Sequence, residues 1–450
     1  MTDLGHYVGR KVGILGLARS GLAAARALAT AGAEVLVFDD RPEALAAAPY
    51  RAGRSADIAE LALLVPSPGV PLSHPQLHPL IAAARAAGAE IRGDVDLFAQ
   101  TIGERRIVGI TGTNGKSTTT ALIHHLLASA DVDAVLGGNI GKPVFDLDPG
   151  PPGRVFVLEL SSFQLDLCQR LCCRVAVWLN LTPDHLDRHG DLAGYIAAKE
   201  RIFARQGEGD VAVVGIDDRP SRDLAHRLRA QGRAVHSVTL EPATDADVSV
   251  REGRLYEGSA KLLDLRQLTN LRGRHNWQNI AIAYAAVRAL GLTGAQALAG
   301  LPGFRSLPHR MEEVARAGHV VWVNDSKATN PDSAEKSLMS FERIFWIAGG
   351  KPKPGGFRSL RTALGKVQAG YLIGTAAAEI EADLGDIAPM HRVGTLDAAV
   401  VAASAAARSA PGLEAAVLLA PACASYDQFA NFEARGDAFR AFARAEAGGA

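Results

Sequence analysis

Short runs of apolar and β-branched residues alternate with alanine-rich stretches along most of the chain. The short runs suit buried strands, and the alanine-rich stretches between them suit helices. Strands that alternate with helices form parallel sheets with helices packed on them, so the pattern predicts an α/β fold. The runs that we interpret as strands are KVGILGL (11–17), EVLVFDD (34–40), RIVGIT (106–111), RVFVLEL (154–160), RVAVWLNLT (174–182), VVWVNDS (320–326) and AAVLLAPA (415–422).

The length of the chain sets the expected number of domains. One hydrophobic core seldom serves 450 residues, so we expect two to three domains. One candidate boundary lies near residues 92–105, just before a predicted strand. A second lies near 301–310, where Gly and Pro interrupt the helical pattern. Three α/β units therefore fit the chain.

Charge and composition argue against several classes of protein. Lys plus Arg and Asp plus Glu number 48 each, so no charge excess indicates a nucleic acid or an acidic membrane as partner. The first residues lack the features of a signal peptide, and no apolar run reaches the ~20 residues of a membrane span. We therefore expect a cytoplasmic protein. Of its four cysteines, Cys168, Cys172 and Cys173 form a cluster, and all four are expected to be buried free thiols.

The stretch GITGTNGKSTTT (109–120) contains most of a phosphate-binding loop. The usual template is G-x-x-x-x-G-K-[ST], but Ile110 occupies its first glycine position and the leading glycine is Gly112. The stretch joins a predicted strand to a predicted helix, whose free N–H groups and positive dipole end bind phosphate. Lys116 is then placed to reach terminal phosphates, and Ser117 to bind magnesium. A nucleoside triphosphate is the expected ligand.

Two further strand ends carry candidate metal ligands. Glu159 closes the run VFVLEL, and a hard oxygen ligand near a phosphate loop suits magnesium. His185 lies in PDHLDRHG (183–190), a segment that also fits a polar loop with an Asp cap for the next helix. From the residues alone, both interpretations of this segment stay open.

Lys199 occupies an apolar position. Tyr195 and Ile196 begin a helical stripe that continues, at three- and four-residue spacing, through Lys199 to Ile202 and Phe203. Burial opposes an ammonium charge, so this lysine must extend its end to solvent, pair with an anion, lower its pKa or be covalently modified. The spacing does not decide among these outcomes.

Other features are weaker individually. Asn276 and Asn279 lie three residues apart on one predicted helix face, as two amides that bind a planar ring would. The N-terminal GLARSG is similar to a dinucleotide fingerprint, but Ala18 replaces its middle glycine and argues against NAD. The strand-end pair Asp39 and Asp40 suits a ribose or a uracil. In the last third, NDSKATNPDS, AGGKPKPGG and APACASYDQF bring charged and hydroxyl groups to strand ends, as a small dianionic substrate requires.

In combination, these motifs resemble the Mur ligase family, which builds the peptide stem of bacterial cell-wall precursors. The matching segments are GTNGKST, ELSSFQL, NLTPDHLDRHG, YIAAKERIF, RHNWQN, NDSKATN and APACASYDQF. The resemblance runs from about residue 10 to the carboxyl end. It implies a Rossmann-like domain for a UDP-sugar at 1–95, a central P-loop-type ATPase domain with a parallel sheet at 96–306, and a Rossmann-like domain for an amino acid at 307–450.

The resemblance also implies a reaction. NDSKATN and APACASYDQF are similar to the branch that joins D-glutamate to UDP-N-acetylmuramoyl-L-alanine with ATP and Mg²⁺, expected as two ions, through an acyl phosphate. These small molecules are the expected partners, with no nucleic acid and no membrane, and the chain is expected to be a monomer. Two alternatives are a sister ligase that adds another amino acid, such as the folylpolyglutamate branch, and a nucleotide-switch protein that ligates nothing.

For catalysis and ATP, the resemblance assigns roles residue by residue. The catalytic residues implied are Lys116, His185, Lys199 and Lys327. The metal ligands implied are Ser117, Glu159, His185 and Lys199, the last as a carbamate. The ATP-binding residues implied are Gly112, Thr113, Asn114, Gly115, Lys116, Ser117, Thr118, Asn276, Asn279, Arg310 and Asp325.

For the other two substrates the assignments follow the same motifs. Position after the strands, and the motif GGNIG for Asn139, give the residues expected at the UDP-sugar substrate: Arg19, Ser20, Asp39, Asp40, Arg41, Ser67, Gly69, Asn139 and Ser161. The residues expected at D-glutamate are Thr329, Lys353, Ser425 and Phe432, the last through its backbone. Lys353 is preferred to Lys351 on spacing.

Overall fold

The structure is a computed structural model that describes residues 4–102, 107–241, 245–268, 271–353, 355–410 and 412–448. Its parallel-rich sheets with helices between the strands confirm the predicted α/β fold. All seven predicted runs contain a strand, and in the six runs that are fully described the strand is shorter than the run. Arg106, at the start of one run, and residues 103–105 of the first candidate boundary lie outside the described residues.

The first sheet has five parallel strands in the order β3-β2-β1-β4-β5. They are β1 (Lys11–Leu15), β2 (Glu34–Phe38), β3 (Arg51–Ala52), β4 (Leu63–Pro66) and β5 (Glu90–Ile91). The helices around it are α1 (Arg19–Thr30), α2 (Pro42–Ala47), α3 (Pro79–Ala86) and α4 (Asp94–Ile102). The strand order reverses between β1 and β4, and ligands of open parallel sheets bind at such a point.

The second sheet has nine strands in the order β14-β13-β12-β11-β10-β9-β6-β8-β7, antiparallel only from β12 to β14. They are β6 (Ile107–Thr111), β7 (Ala134–Gly138), β8 (Val155–Glu159), β9 (Val175–Trp178), β10 (Val211–Gly215), β11 (Ala234–Thr239), β12 (Val248–Arg251), β13 (Arg254–Glu257) and β14 (Ala260–Asp264). The helices that follow β6 in the chain, up to the third sheet, are α5 (Lys116–Ser129), α6 (Ser162–Asp166), α7 (Leu186–His189), α8 (Leu192–Glu200), α9 (Arg219–Ala230), α10 (Arg274–Ala289) and α11 (Gly294–Ala299).

The third sheet has six strands in the order β15-β16-β20-β17-β18-β19, with only β15 antiparallel to its neighbour. They are β15 (Glu312–Ala317), β16 (Val320–Asn324), β17 (Ile344–Gly349), β18 (Val367–Ile373), β19 (Met390–Gly394) and β20 (Ala415–Leu419). Its helices are α12 (Pro331–Leu338), α13 (Ala377–Leu384), α14 (Leu396–Ser409) and α15 (Phe432–Gly448). Short 3₁₀ helices span Gly5–Tyr7, Ser55–Glu60, Val144–Asp146, Arg201–Phe203, Leu265–Gln267, Leu301–Gly303 and Arg358–Lys366.

The chain forms two compact units. The first comprises Met1–Leu265 and Gln278–Leu301 and contains the first two sheets. The second comprises Arg266–Trp277 and Pro302–Ala450 and contains the third sheet. The division into three domains at 95/96 and 306/307 stays a prediction from the sequence.

Several buried polar side chains in the cores form hydrogen bonds that fix neighbouring elements. The indole N–H of Trp178 donates to Ser221 over 2.8 Å, and that of Trp322 donates to Ser404 over 2.9 Å. Asp96 on α4 is fully buried, accepts three backbone N–H bonds from residues 169–171 and pairs with Arg92 over 2.8 Å. These bonds offset the cost of burying polar groups, so they fix α4 and the 169–171 segment relative to each other.

The structure bears on two expectations from the sequence, free cysteines and the lack of a membrane span. All four cysteines are buried and none forms a disulfide, which confirms the predicted free thiols. Of the helices within the described ranges, none is both long and apolar enough to pass through a membrane.

Candidate functional site

The phosphate-binding loop, residues 112–116, connects β6 to α5 in the first unit. Gly115 is the N-cap of α5 with a φ of 85°, and a Cβ there would lie 2.4 Å from the Oδ1 atom of Asn279. Gly112 has a φ of 146°, and a Cβ there would lie 2.8 Å from that of Leu179. Both positions therefore require glycine, because other residues rarely adopt these φ values and have no room. This explains why the leading glycine stands at 112 rather than at 110.

Asn180 holds this loop and was not predicted from the sequence. Its side-chain Oδ1 accepts from the backbone N–H of Asn114 over 2.9 Å, and its backbone oxygen accepts from that of Thr113 over 2.9 Å. Asn180 lies two residues after β9, so the general rule that chemistry follows strand ends could have identified it. Thr118 lies on the first turn of α5.

Lys116 and Lys199 meet at the start of the loop. The Nζ atom of Lys116 donates to the carbonyl oxygens of Gly112 and Thr113 over 3.0 and 2.8 Å. The Nζ atom of Lys199 also donates to Gly112, over 2.9 Å, and lies 4.7 Å from the ring centroid of Tyr195. The Lys199 residue is 1 % exposed, so it does not extend its end to solvent.

The surroundings of Lys199 favour its neutral amine. Burial lowers the pKa of Lys199 well below its usual value of 10.5, and the positive charge of Lys116 lowers it further. Glu159 and Asp184 oppose these effects, but neither forms an ion pair with Lys199 among the described residues. A buried neutral amine is a nucleophile, so the site has the chemistry for covalent modification of Lys199.

Glu159, Ser117 and Asn139 form a hydrogen-bonded group beside the loop. Ser117 donates from its Oγ to Glu159 over 2.6 Å, and Asn139 donates from its Nδ2 to the other carboxylate oxygen over 2.7 Å. Glu159 is only 3 % exposed. The sequence did not predict that Asn139 contacts Glu159, because their strands β7 and β8 meet only in the folded sheet.

Glu159 and Ser117 suit magnesium, which takes few protein ligands, better than a metal ion that is bound by side chains alone. No group of three or more His, Cys, Asp and Glu side chains is arranged to hold a metal ion in the part of the chain that the structure describes. Mg²⁺ characteristically takes one or two carboxylates and completes its shell with water and substrate phosphates. Glu159 and Ser117, which touch each other next to a phosphate-binding loop, provide such a partial set.

The PDHLDRHG segment divides into exposed and buried residues. His185, with a φ of 51°, is exposed and packs on Phe163 with ring centroids 4.8 Å apart. His189 is buried, its Nε2 lies 3.0 Å from the hydroxyl of Ser162, and burial lowers the pKa of its imidazole. Asp191 caps α8 by accepting from the N–H of Gly194 over 2.8 Å. The cap of α8 thus comes from Asp191, directly after the segment, and not from an Asp within it, while the segment itself presents His185.

Strand ends of the first sheet converge at the point where its strand order reverses. Asp39, just after β2, accepts from the N–H of Leu17 over 2.7 Å and from the side chain of Arg41 over 3.0 Å. The bond from Arg41, with that from Leu17, lowers the pKa of the Asp39 carboxyl to about 2. Ser67, just after β4, donates to the carbonyl of Gly16 over 2.7 Å. These bonds fix the backbone that borders the crevice between β1 and β4.

One cavity of about 700 Å³ collects most of these groups. We call it the strand-end cavity. The predicted residues that line it are Ser20, Asp39, Asp40, Arg41, Ser67, Gly69, Lys116, Asn139, Ser161, His185 and Lys199. Arg19 is exposed and is not among its lining residues. Lining residues that the sequence did not single out as site residues include Val70, His78, Ser162, Phe163 and Tyr195.

The two helix amides are both buried. Asn279 accepts at its Oδ1 from the hydroxyl of Thr119 over 3.2 Å, on the first unit's side of α10. Asn276 belongs to the second unit and donates from its Nδ2 to the carbonyl of Arg272 over 2.7 Å. Their burial distinguishes them from solvated amides.

Three of the predicted site residues, Arg310, Asp325 and Lys327, lie in the second unit. Arg310 stands between two residues with left-handed backbones, His309 (φ 63°) and Met311 (φ 45°). Asp325, just after β16, is buried, and burial raises the pKa of its carboxyl to about 6. The Nζ atom of Lys327 lies 3.8 Å from the ring centroid of Phe432.

The residues expected at D-glutamate lie on loops at the carboxyl edge of the third sheet. Thr329 is half-buried and its N–H donates to the carbonyl of Lys327 over 2.8 Å. Ser425 is buried, and Phe432 begins α15 and is half-buried. Lys353 is exposed, on a loop whose Lys351 pairs through its backbone with Ala424. The structure does not choose between the two lysines.

Comparison with known proteins places the chain among characterised sequences. Residues 110–287 match the family model of the Mur ligase middle domain, and residues 309–423 match that of the Mur ligase, glutamate ligase domain. A UDP-N-acetylmuramoylalanine–D-glutamate ligase of Phenylobacterium zucineum is 48 % identical, covering 98 % of this chain and 97 % of the relative. One of Rhizobium etli is 48 % identical, covering 96 % and 94 %.

Solved structures show the same fold at low sequence identity. A MurF ligase from Thermotoga maritima in complex with ADP is 16 % identical, with a TM-score of 0.62 over 100 % of both chains. A UDP-N-acetylmuramate-alanine ligase from the same organism is 18 % identical, with a TM-score of 0.58 over 97 % of this chain and 99 % of the other. The family models and the full-length relatives confirm the resemblance that the motifs indicated: this chain belongs to the Mur ligase family.

Proposed function

We propose that this protein is an ATP-dependent amide ligase that adds D-glutamate to UDP-N-acetylmuramoyl-L-alanine in the synthesis of peptidoglycan precursors. The observation that carries the proposal is the strand-end cavity, which joins the lysine of a phosphate-binding loop, a buried lysine and the polar strand ends of the first sheet. The names of the relatives at 48 % identity support this choice of substrates.

The UDP-sugar substrate fits the first-sheet side of the strand-end cavity. The crevice lies where the strand order reverses, as in other nucleotide-binding sheets. Asp39 and its neighbours would contact the uridine, and Asn139 would contact the muramoyl-alanine end, because it lies next to Glu159 at the second sheet. The residues assigned to this substrate are Arg19, Ser20, Asp39, Asp40, Arg41, Ser67, Gly69, Asn139 and Ser161.

ATP fits the loop at the N-terminus of α5. Free N–H groups and the helix dipole bind phosphate there, and Lys116 would move from its two backbone carbonyls to the terminal phosphates. Asn276, Asn279, Arg310 and Asp325 would contact the adenine, ribose and phosphates. Lys327 would add positive charge near the phosphates.

Magnesium would be held by Ser117, Glu159, His185 and a modified Lys199. When bound, Mg²⁺ neutralises the negative charge of the phosphates. Glu159 keeps its carboxylate in place through the bonds from Ser117 and Asn139, so the ligand is positioned in advance. Two ions are expected.

Lys199 would carry a carbamate. Its neutral amine attacks CO₂ at carbon, and one proton leaves the nitrogen to give the carbamate anion. Burial and the neighbouring Lys116 both favour the neutral amine that this step needs. The modification would exchange a buried neutral amine for a carboxylate-like group beside Lys116.

The reaction joins a poor electrophile to an amine in two steps. An oxygen of the alanyl carboxylate attacks the γ-phosphorus of ATP, ADP leaves, and an acyl phosphate forms. The amine of D-glutamate then attacks the acyl carbon, phosphate leaves with the C–O electron pair, and the nitrogen loses a proton. Lys116 and Lys327 would offset the negative charges that repel each other in the first step. D-Glutamate would be bound by Thr329, Lys353, Ser425 and the backbone of Phe432.

Phosphate release measured with ATP, magnesium and UDP-N-acetylmuramoyl-L-alanine tests the proposal. D-Glutamate is compared with L-glutamate, glycine, lysine and meso-diaminopimelate. We expect release only with D-glutamate and a product heavier by one glutamyl unit. Release with another amine would contradict the substrate and favour a sister ligase, whereas release regardless of the amine would favour a nucleotide switch.

The organisation of the protein forms part of the same proposal. Domains at 1–95, 96–306 and 307–450, action as a monomer and a cytoplasmic location stay predictions from the sequence. They agree with small-molecule substrates and with four free thiols.

A further inference from the structure

Arg435 is a buried cation whose hydrogen bonds, within the described residues, all go to neutral oxygens. It is 1 % exposed, and its guanidinium donates to the Oγ and backbone oxygens of Ser326, both over 3.0 Å, to Cys423 O over 3.1 Å and to Gly349 O over 3.4 Å. None of the ion pairs among the described residues includes Arg435. Burial lowers the pKa of its guanidinium to about 10, which leaves it charged at neutral pH.

The three residues that accept these bonds follow three neighbouring strands. Ser326 lies just after β16, Gly349 ends β17 and Cys423 lies after β20, and β20 stands between the other two in the sheet. The guanidinium therefore connects the carboxyl ends of all three strands. A planar fork of five N–H donors suits this arrangement, because it can reach several oxygens in fixed directions.

The loops that start at these strand ends carry three of the four residues that we assign to D-glutamate. Ser326 precedes Thr329, Gly349 precedes Lys353, and Cys423 precedes Ser425 in the chain. The fourth residue, Phe432, is connected to Arg435 by way of Ser326, because the Ser326 hydroxyl donates to the Phe432 carbonyl over 2.8 Å. Arg435 thus bonds the strand ends from which the loops of the first three residues start, and Ser326 bonds the fourth.

Within the part of the chain that the structure describes, no carboxylate pairs with the charge of Arg435. Asp427 is the carboxylate that most affects Arg435, but its own oxygen accepts from the N–H of Thr375 over 3.0 Å. A buried charge acts more strongly on a nearby anion than an exposed one does, because less water screens it. A substrate with two carboxylates would gain from such a charge.

We propose that Arg435 is a positioning residue of the amino-acid site, which fixes the three loops that bind D-glutamate and supplies a buried positive charge that favours a dicarboxylate substrate. This inference rests on the proposed function. It predicts that the KM for D-glutamate depends on Arg435 more strongly than the KM for ATP, because Asp325 and Lys327 flank Ser326, and that the KM for the UDP-sugar does not depend on it.

Steady-state kinetics of the full-length enzyme test this. We expect Arg435→Ala to raise the KM for D-glutamate by roughly ten-fold or more, because several buried carbonyls lose their donor. We expect Arg435→Lys, which keeps the charge but loses the fork, to raise it by about ten-fold as well. Millimolar guanidinium should lower the KM of Arg435→Ala, and methylammonium should not. Arg408→Ala is the matched control, since Arg408 is exposed in the same unit and pairs with Glu446.

The outcomes separate positioning from general structural damage. A folded Arg435→Ala enzyme with an unchanged KM for D-glutamate contradicts the inference, as does an equal rise of all three KM values. If Arg435→Ala does not fold, Arg435→Lys is used to test the inference. Wild-type kinetics in Arg435→Lys would contradict the inference. If the wild-type enzyme uses an amino acid other than D-glutamate, the proposed substrate is wrong, but the role of Arg435 is still open to test. The same variants are then measured with that amino acid.

Discussion

Lys116 and Lys199 donate hydrogen bonds to the same carbonyl oxygen, that of Gly112, over 3.0 and 2.9 Å. Two ammonium groups on one acceptor repel each other, and burial of Lys199 makes its charge more costly still. Both effects lower the pKa of Lys199, so the pair favours a charged Lys116 beside a neutral amine. A carbamate on Lys199 would replace this repulsion with attraction. The geometry therefore links the phosphate-binding lysine to the proposed modification.

Replacement of Lys199 tests that link. We expect Lys199→Ala to lose ATP-dependent ligation by orders of magnitude, because the carboxylate-like group of the carbamate disappears. A short carboxylate such as formate, or added bicarbonate, should partly restore turnover by entering the vacated space. Phosphate release measures the effect, and Lys261→Ala, an exposed lysine on β14, is the control.

Direct detection of the carbamate complements the kinetics. Isotope-labelled bicarbonate should give a carbamate carbon signal in the wild-type protein and in Lys261→Ala, but not in Lys199→Ala. Full activity of Lys199→Ala would end the carbamate idea. Full activity of the wild-type enzyme after exhaustive removal of CO₂ would also count against it.

The fold followed from the sequence to a large extent. Strands such as β1, β6 and β20 are buried on both faces, and this produces the continuous apolar runs by which they were predicted. The strand order did not follow, because the run of apolar residues in β4 does not indicate that its neighbour is β1. The strand-end cavity depends on that order, so its shape could not be predicted.

Site residues could be predicted from the sequence where they belong to a known motif or occupy an unexpected position. The phosphate-binding loop and the apolar position of Lys199 were both visible in the sequence, but the spacing left open whether the lysine is buried, and the structure buries it. Asn180, Ser162 and Arg435 were missed, because an amide, a hydroxyl and an arginine have no local signal when their partners are distant in the chain. Only contacts in the folded protein, such as that of Asn180 with Asn114, show which segments these residues position.

Lys116→Ala should remove ATP-dependent ligation. The side chain is a positive group of the phosphate-binding loop itself, and loss of one such group typically costs about 10²–10³ in rate. We expect a large fall in kcat with the melting temperature close to that of the wild type, since Lys116 is only half-buried. Unchanged rates of phosphate release would rule out the assignment of the loop.

Gly112→Ala should impair both stability and catalysis. A Cβ at Gly112 would lie 2.8 Å from the Cβ of Leu179, in a backbone conformation with a φ of 146° that alanine rarely adopts. We expect a loss of roughly 1–3 kcal/mol in the free energy of unfolding. Activity should fall as well, because the Gly112 carbonyl positions Lys116 and Lys199.

Denaturant unfolding and phosphate release check this pair of effects. Gly207→Ala is the matched control, since no atom lies within 4 Å of a Cβ built at Gly207 and its φ is not in the left-handed region. We expect that variant to match the wild type in both measurements. Equal behaviour of the two alanine variants would show that the shifted glycine of the loop is not required.

The acid stability of the protein should depend on Asp39. Its pKa is lowered from 3.8 to about 2, chiefly by the bond from Arg41, so the folded state favours the carboxylate more than the unfolded chain does. This contribution is fully present above the unfolded value of 3.8 and is lost as the pH falls towards 2. Asp39→Asn should therefore lower the free energy of unfolding by about 1–2 kcal/mol at pH 7 and flatten its fall at acid pH. Asp40→Asn, whose side chain is 84 % exposed, is the control. A difference between Asp39→Asn and the wild type that stayed constant from neutral to acid pH would contradict this role of the Asp39 carboxylate.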